Sequence, residues 1–176
     1  MDWIPNVDGI LFFLREVLPL IQKAIPSVKL FVVGRNPPAH LLNEVKKYPG
    51  VSCVGRVPDV RPYIRKHGVY IVPLRIGGGT RIKIYEALAM GKAVVSTTIG
   101  AEGLPLKNGK HLILADSPEH FAQAVVELLK KPTYREQLGQ AGMKFVRENC
   151  SWNVAANSFA NYCTEVVNAR KTVLAQ

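Results

Sequence analysis

A run of three glycines, Gly77-Gly78-Gly79, joins an apolar segment to an amphipathic one and restricts the possible folds more than any other feature. Residues 69–73 before it are rich in Val and Ile, which predicts a buried strand, and residues 80–90 after it have helical spacing. Glycine lets the backbone of such a turn approach a ligand closely, and the free N–H groups of the first helical turn carry partial positive charge. The sequence therefore predicts an anion-binding turn between a strand and a helix.

Charged side chains follow this turn directly. Arg81 and Lys83 add full positive charges at the start of the helix, and Glu86 lies three residues after Lys83, so both project from nearly the same helical face. The glycine turn and Thr80 would then hold a phosphate, and the Glu86 carboxylate would accept hydrogen bonds from the hydroxyls of a ribose. A flexible turn and an ordinary Lys83–Glu86 surface ion pair explain the same residues without a ligand. The combination favours a nucleoside-diphosphate sugar.

Strand-like and helix-like segments alternate along the 176 residues, which predicts one α/β domain, residues 1–176, with a doubly wound parallel sheet of the Rossmann-like type. The strands read as continuous apolar runs, as expected where helices cover both faces. We predict strands over 29–33, 51–54, 69–73, 93–97 and 111–115. Helices are predicted over 7–25, with a kink or break at Pro19, and over 39–48, 58–66, 80–90, 117–130 and 132–148, with a C-terminal helix at 151–170. Because the chain opens on a helix, we expect the sheet to lack its first, central strand; the alternative is that the strands on either side of the gap pair directly.

Loops that follow three other predicted strands lie at the carboxyl edge, where open parallel sheets bind ligands. Arg35 could face a phosphate or a base, or it could be a solvated loop residue. The backbone after Gly55 could hydrogen-bond a base, and the glycines of the third loop fit either a close ligand or plain turn geometry. The candidate donor-binding residues in these loops are Gly34, Arg35, Arg56, Val57, Gly100 and Ala101.

The amino-acid composition limits the classes of molecule that the chain is expected to bind. The formal net charge of +10 favours anionic partners, namely a diphosphate, an anionic membrane face or nucleic acid. Nucleic acid is not expected, because no dense basic tract is interleaved with aromatic residues. Three cysteines without metal spacing and four scattered histidines predict no metal site and fit a reducing compartment. We expect a cytoplasmic protein, either free or peripheral at the inner membrane face.

Several motifs, taken in order, resemble the C-terminal domain of the group 1 glycosyltransferases, and the resemblance covers essentially the whole chain. Members of this family are retaining enzymes of GT-B architecture, with two Rossmann-like domains. The resemblance implies the donor-binding half of an enzyme that moves a sugar from a nucleoside-diphosphate sugar to an acceptor hydroxyl with retention. The motifs that carry it are residues 1–9, 33–37, 55–63, 77–87 and 94–104.

The resemblance also implies roles for single residues. The family often has two glutamates separated by seven residues; Glu86 matches the second, which holds the ribose, whereas the first falls on Gly78. The chain is similar to a branch with a Gly-Gly-Thr-Arg-x-Lys pattern, in which Arg81 and Lys83 neutralise the leaving diphosphate as catalytic residues. No cofactor is implied, because the nucleoside-diphosphate sugar is the substrate.

The family's acceptor-binding N-terminal domain is implied as a missing partner. Met1 matches a methionine just past the first strand of the family's C-terminal domain, so we expect this chain alone to bind nucleotide and transfer no sugar. Two other interpretations remain open at this point. One is half of a nucleotide-sugar epimerase, which can share the architecture, and the other is a non-catalytic nucleotide-sugar-binding subunit.

Overall fold

Parallel strands in two sheets form the centre of the chain in its computed structural model, which describes residues 1, 3–79 and 81–174, with side chains up to residue 166. Strands β1 and β2 pair in parallel in one sheet, and β3, β4 and β5 form the second parallel sheet in that order. The α/β class with parallel strands is therefore confirmed. The strands are β1 (Leu30–Val33), β2 (Val51–Gly55), β3 (Val69–Val72), β4 (Ala93–Ser96) and β5 (Ile113–Leu114).

The helices lie close to their predicted positions. Proline or a side-chain acceptor marks several of their starts; Ser117 Oγ, for example, accepts a hydrogen bond from the His120 N–H at 3.3 Å. No helix in the described part of the chain is long and apolar enough to cross a membrane. The helices are α1 (Ile4–Phe12), α2 (Leu18–Ala24), α3 (Ala39–Val45), α4 (Arg61–Lys66), α5 (Ile82–Ala89), α6 (Pro118–Lys130), α7 (Pro132–Asn149) and α8 (Trp152–Leu174).

The first predicted helix is interrupted near Pro19, where a kink or break was expected. A π-helical turn, Phe13–Val17, separates α1 from α2, and the Leu18 N–H donates to the Phe13 carbonyl, five residues back. Pro19 lies in the first turn of α2. It has no N–H to donate, and its ring would clash with the carbonyl four residues back in a regular helix. The wider turn avoids that clash.

Two apolar clusters cover the two faces of the second sheet. Phe13 and Phe121 meet edge to face in one cluster, with ring centroids 5.8 Å apart, above Val95 of β4. Leu88 of α5 and Val94 of β4 belong to the other cluster. Burial on both faces explains why β4 is apolar without alternation, and each large buried side chain contributes about 1.5–3 kcal/mol.

A gap separates β1 from β3, and no strand among the described residues lies in it. A cavity of about 500 Å³ fills this gap and continues to the carboxyl ends of both strands. We call the part between β1 and β3 the slot. In the strand order 3-2-1-4-5 of a doubly wound sheet, the central strand would occupy this position, as the sequence led us to expect.

Candidate functional site

The glycine turn lies just beyond the carboxyl end of β3. Gly77 and Gly79 have φ values of +109° and +86°, a backbone region that favours glycine. A Cβ on Gly78 or Gly79 would meet no atom within 4 Å, whereas one on Gly77 would lie 3.2 Å from Trp3. The turn is thus open to solvent on one side and rests against the start of α1 on the other. Thr80 lies outside the described residues.

The Arg81 side chain folds back onto this turn. Its guanidinium donates to the carbonyls of Gly78 at 2.8 Å and Gly77 at 2.7 Å, and more weakly to that of Ile99 at 3.4 Å. Only 4% of Arg81 is exposed, and its Nε is buried without a partner among the described residues. Arg81 therefore stabilises the turn through hydrogen bonds to its carbonyls. The catalytic role of Arg81 stays a prediction.

Lys83 occupies the first turn of α5 and faces the cavity. Its Nζ donates to Oδ1 of Asn6 on α1 at 2.7 Å. Burial lowers the pKa of the Lys83 ammonium below its usual value, and the positive charge of Arg81 lowers it further. A partly desolvated ammonium of fixed position is a strong partner for a phosphate oxygen, because the surrounding protein screens the attraction less than water does.

Glu86 lies one turn further along α5 and lines the same cavity. Its side chain is exposed and makes no hydrogen bond or ion pair with the described residues, so the surface pair with Lys83 that the spacing allows does not form. The Glu86 charge also acts on Tyr70 of β3. Burial raises the pKa of the Tyr70 hydroxyl to about 12, and the negative charge of Glu86 raises it further. The Glu86 carboxylate is therefore available to accept hydroxyl groups from a ligand.

Gly34 and Arg35, at the carboxyl end of β1, line this cavity opposite α5. A Cβ on Gly34 would come within 2.8 Å of the Met1 side chain. The Met1 amino group donates to the Arg35 carbonyl. Four of the predicted residues therefore line the same cavity: Gly34, Arg35, Lys83 and Glu86.

The remaining predicted residues do not line it. Arg56 is exposed and Val57 is half-buried beyond β2. Gly100 has a packing reason to be glycine, since a Cβ there would lie 2.5 Å from Ser96 Oγ and 2.8 Å from the Val72 carbonyl. Ala101 is buried beside it. Ligand contacts of these four residues, and of the glycine turn, stay predictions.

Two residues with side-chain hydrogen bonds in this region were not predicted from the sequence. Asn6 fixes Lys83, and the sequence motif that contains Asn6 carries no sign of this contact. Asp116 accepts hydrogen bonds from the backbone N–H and the hydroxyl of Thr98, both at 2.7 Å. This pair anchors the loop that holds Gly100.

Solved structures define the class of this fold. The C-terminal domain of a glycosyl transferase group 1 family protein (LpcC) from Francisella tularensis aligns with a TM-score of 0.71 and 20% identity, over 85% of this chain and 83% of that one. S. aureus TarM, crystallised with UDP among its ligands, aligns with a TM-score of 0.77 and 15% identity, over 92% of this chain and 33% of that one. The chain has the fold of the C-terminal, Rossmann-like half of a GT-B glycosyltransferase.

Sequence comparison gives the family. Residues 1–131 match the family model described as "Glycosyl transferases group 1", and the chain belongs to that family. A phosphatidyl-myo-inositol mannosyltransferase of Mycobacterium leprae is 30% identical over 149 residues, which are 82% of this chain and 40% of the relative. An uncharacterised 44.6 kDa protein of the cps region of Klebsiella pneumoniae is 27% identical over 152 residues, 82% of this chain and 39% of the relative. The chain thus spans about two fifths of the length of these relatives.

Proposed function

We propose that this chain is the donor-binding half of a retaining glycosyltransferase and that its cavity at the carboxyl edge holds a nucleoside-diphosphate sugar. One observation carries the proposal: Lys83 and Glu86 line the same cavity, the ammonium held by Asn6 and the carboxylate without a protein partner. The spacing of one helical turn suits a pyrophosphate at Lys83 and a ribose at Glu86.

The reaction needs no nucleophile from the protein. The bond between the sugar C1 and the diphosphate oxygen breaks, a bond between C1 and the acceptor oxygen forms, and the proton of the acceptor hydroxyl passes to the departing diphosphate. Negative charge builds up on the departing diphosphate, and a preorganised cation beside it lowers the barrier. Lys83 is placed for this task, and Arg81 supports it by fixing the glycine turn and adding positive potential.

The acceptor and the second half of the site lie outside the 176 residues. We infer an N-terminal acceptor-binding domain, because the curated relatives are more than twice as long as the matched segment. The net charge of +10 suits an acceptor in polysaccharide assembly at an anionic membrane face. By itself, the 176-residue chain binds the nucleotide and does not transfer sugar.

Calorimetric titration of the purified chain tests the proposal, with nucleoside diphosphates and inorganic pyrophosphate as separate ligands at fixed salt. Lys83→Ala should weaken both kinds of ligand about 10- to 100-fold, as for loss of a charge-assisted hydrogen bond. Glu86→Ala should weaken only the nucleotides, because pyrophosphate has no ribose.

The matched control is Lys23→Ala, which removes an exposed lysine of α2 that does not line the cavity. It should leave all affinities within about twofold, the size expected for a screened surface charge. Unchanged affinity for every ligand in both cavity variants would place the nucleotide elsewhere.

A further inference from the structure

The buried hydroxyl of Thr97 joins the two loops that follow β3 and β4. It donates to the Leu74 carbonyl, at the start of the loop that carries the glycine turn. It also accepts from the Gly100 N–H, in the loop after β4, at 2.9 Å. Only 4% of Thr97 is exposed. Because water has little access there, loss of the hydroxyl would leave both backbone groups without this partner.

Arg81 makes a second connection between the same two loops. Its guanidinium donates to the Gly77 carbonyl at 2.7 Å and to the Ile99 carbonyl at 3.4 Å. Gly77 lies three residues after Leu74, and Ile99 directly precedes Gly100. The two connections therefore close a ring of hydrogen bonds and short chain segments. We call it the loop ring, and its members are Leu74, Gly77, Arg81, Ile99, Gly100 and Thr97.

The loop ring restrains the Arg81 side chain from both loops. The Arg81 Nε is buried without a partner among the described residues, which costs free energy. The hydrogen bonds of the other guanidinium nitrogens must offset this cost. One of their acceptors, the Ile99 carbonyl, belongs to the loop that Thr97 holds. The Thr97 hydroxyl therefore supports Arg81 through the backbone of that loop.

An exposed contact anchors the loop ring to the end of β5. Asp116 accepts from the backbone N–H and the hydroxyl of Thr98, which directly precedes Ile99. Both Asp116 and Thr98 are exposed. Their contact restrains Ile99 from outside the ring, and water can replace it without leaving a buried group unpaired.

We propose that Thr97 is a positioning residue for the diphosphate site. Its hydroxyl holds the two loops at the separation that keeps Arg81 on the glycine turn and the turn in shape to receive a phosphate. The inference rests on the proposed function, which supplies the diphosphate as the ligand of the turn. Leu74 lines the cavity and Thr97 does not, so Thr97 acts through the residues that it holds. A turn ordered in advance binds its ligand at a lower entropy cost.

Nuclear magnetic resonance of the ligand-free chain tests the loop ring itself. Thr97→Val removes the hydroxyl and keeps the branched shape. We expect the resonance of the buried Arg81 Nε–H to broaden or to move toward the position of exposed arginines. The amides of Gly78 and Gly79 should exchange about 3- to 10-fold faster, because the turn opens locally more often. Thr97→Ser keeps the hydroxyl and should restore both signals to those of the wild type.

Calorimetric titration with inorganic pyrophosphate tests the effect on binding. We expect Thr97→Val to weaken the affinity about 3- to 10-fold and Thr97→Ser to stay within about twofold of the wild type. Circular dichroism fixes a temperature at which each variant is folded, so a loss of global stability alone does not alter the affinity. The matched control is Thr133→Val, which makes the same atomic change at an exposed position of α7. It should leave the Arg81 resonance and the affinity unchanged.

Asp116→Ala provides a second way to loosen the loop ring if Thr97→Val does not fold. It removes both acceptors of Thr98 at the surface. It should shift the Arg81 resonance and speed the exchange of Gly78 and Gly79 in the same direction, by about twofold to fivefold. These ligand-free signals are the readout for this variant, because the loss of a negative charge would itself change the affinity for an anion.

The proposal fails on any of three results. The first is an unchanged Arg81 resonance in folded Thr97→Val or, if that variant does not fold, in Asp116→Ala. The second is the same loss in Thr97→Ser as in Thr97→Val, and the third is wild-type affinity for pyrophosphate in Thr97→Val. A wild-type chain that does not bind pyrophosphate would instead overturn the proposed function. That result is recognisable because every variant shares it while the ligand-free signals still differ.

Discussion

The Lys83 ammonium donates to the Asn6 side-chain carbonyl at 2.7 Å, and this contact joins two residues that are 77 positions apart in the sequence. It links the first turn of α5 to α1 across the cavity. A lysine side chain otherwise has many rotamers, and fixing one of them before a ligand binds reduces the entropy cost of binding. Asn6 is therefore a positioning residue for Lys83.

A double-mutant cycle tests this relationship. We expect Asn6→Ala to weaken binding of inorganic pyrophosphate about 3- to 10-fold, less than Lys83→Ala, since the ammonium remains but is no longer held. Because Asn6 acts through Lys83, the double variant should bind like Lys83→Ala alone. Affinities that fall by the product of the two single effects would show that Asn6 acts on the ligand independently.

The three glycines of the turn offer a matched stability series. Gly79→Ala and Gly77→Ala place a Cβ at positive φ, and each should lower the free energy of unfolding by about 1–2 kcal/mol. Gly77→Ala should be the more harmful of the two, because its Cβ also lies 3.2 Å from Trp3. Gly78→Ala is the control: its φ is not positive, and no atom lies within 4 Å of the added Cβ. Urea unfolding measures all three, and equal stability of all three variants would contradict a strained turn.

Local sequence patterns predicted most of the fold. The Val-rich runs identified β3 and β4 to within one residue at their ends, because burial on both faces needs continuous apolar residues. Among the described residues no strand lies between β1 and β3, in agreement with the expected position of the gap in the sheet. The π-helical turn before Pro19 was not predicted, since a missing N–H can be accommodated by a kink, a break or a wide turn.

The candidate site was predicted less completely, because its geometry depends on contacts between distant segments. The order of charges after the glycine turn indicated Lys83 and Glu86, and both line the cavity. The direction of the Arg81 side chain could not be derived from the sequence, because its guanidinium could reach either a ligand or the carbonyls of the turn. In the structure it donates to the turn and, more weakly, to the Ile99 carbonyl of a distant loop. Asn6 escaped notice because nothing near it in sequence marks a partner on α5.

The buried guanidinium of Arg81 could stabilise the glycine turn, bind an anion, or do both. Substitutions at Arg81 distinguish the first role from the second. Arg81→Leu leaves the carbonyls of Gly77 and Gly78 without their donors and should cost about 1–3 kcal/mol of stability. Arg81→Lys keeps the charge but cannot donate to both carbonyls with one planar group, so it should recover only part of the loss.

Thermal unfolding and limited proteolysis at residues 77–79 measure these effects. Arg56→Leu is the control, because Arg56 is an exposed cation without a hydrogen bond to the described residues. Full recovery of stability in Arg81→Lys would indicate that charge alone matters there.

A carboxylate outside the site makes stability depend on pH. Glu44 of α3 accepts from Arg15 Nε at 2.9 Å and from Lys47 Nζ at 2.8 Å, and so ties the π-helical turn to α3. The hydrogen bond from Arg15, followed by that from Lys47, lowers the pKa of the Glu44 carboxyl from 4.5 to about 2. Between these two values the unfolded chain binds more protons than the folded one, so the contribution of Glu44 is complete above pH 4.5 and is lost as the pH falls toward 2.

Glu44→Gln tests this dependence, because glutamine keeps the shape and does not titrate. In urea unfolding, the wild-type chain should be more stable than Glu44→Gln at pH 7, and the difference should shrink as the pH falls below 4.5. The other carboxylates titrate in both proteins, so their effect cancels in the comparison. Glu102→Gln, at an exposed loop position without a side-chain contact to the described residues, should track the wild type at every pH. A stability difference for Glu44→Gln that stays constant from pH 7 to pH 3 would show that Arg15 and Lys47 do not favour the charged carboxylate.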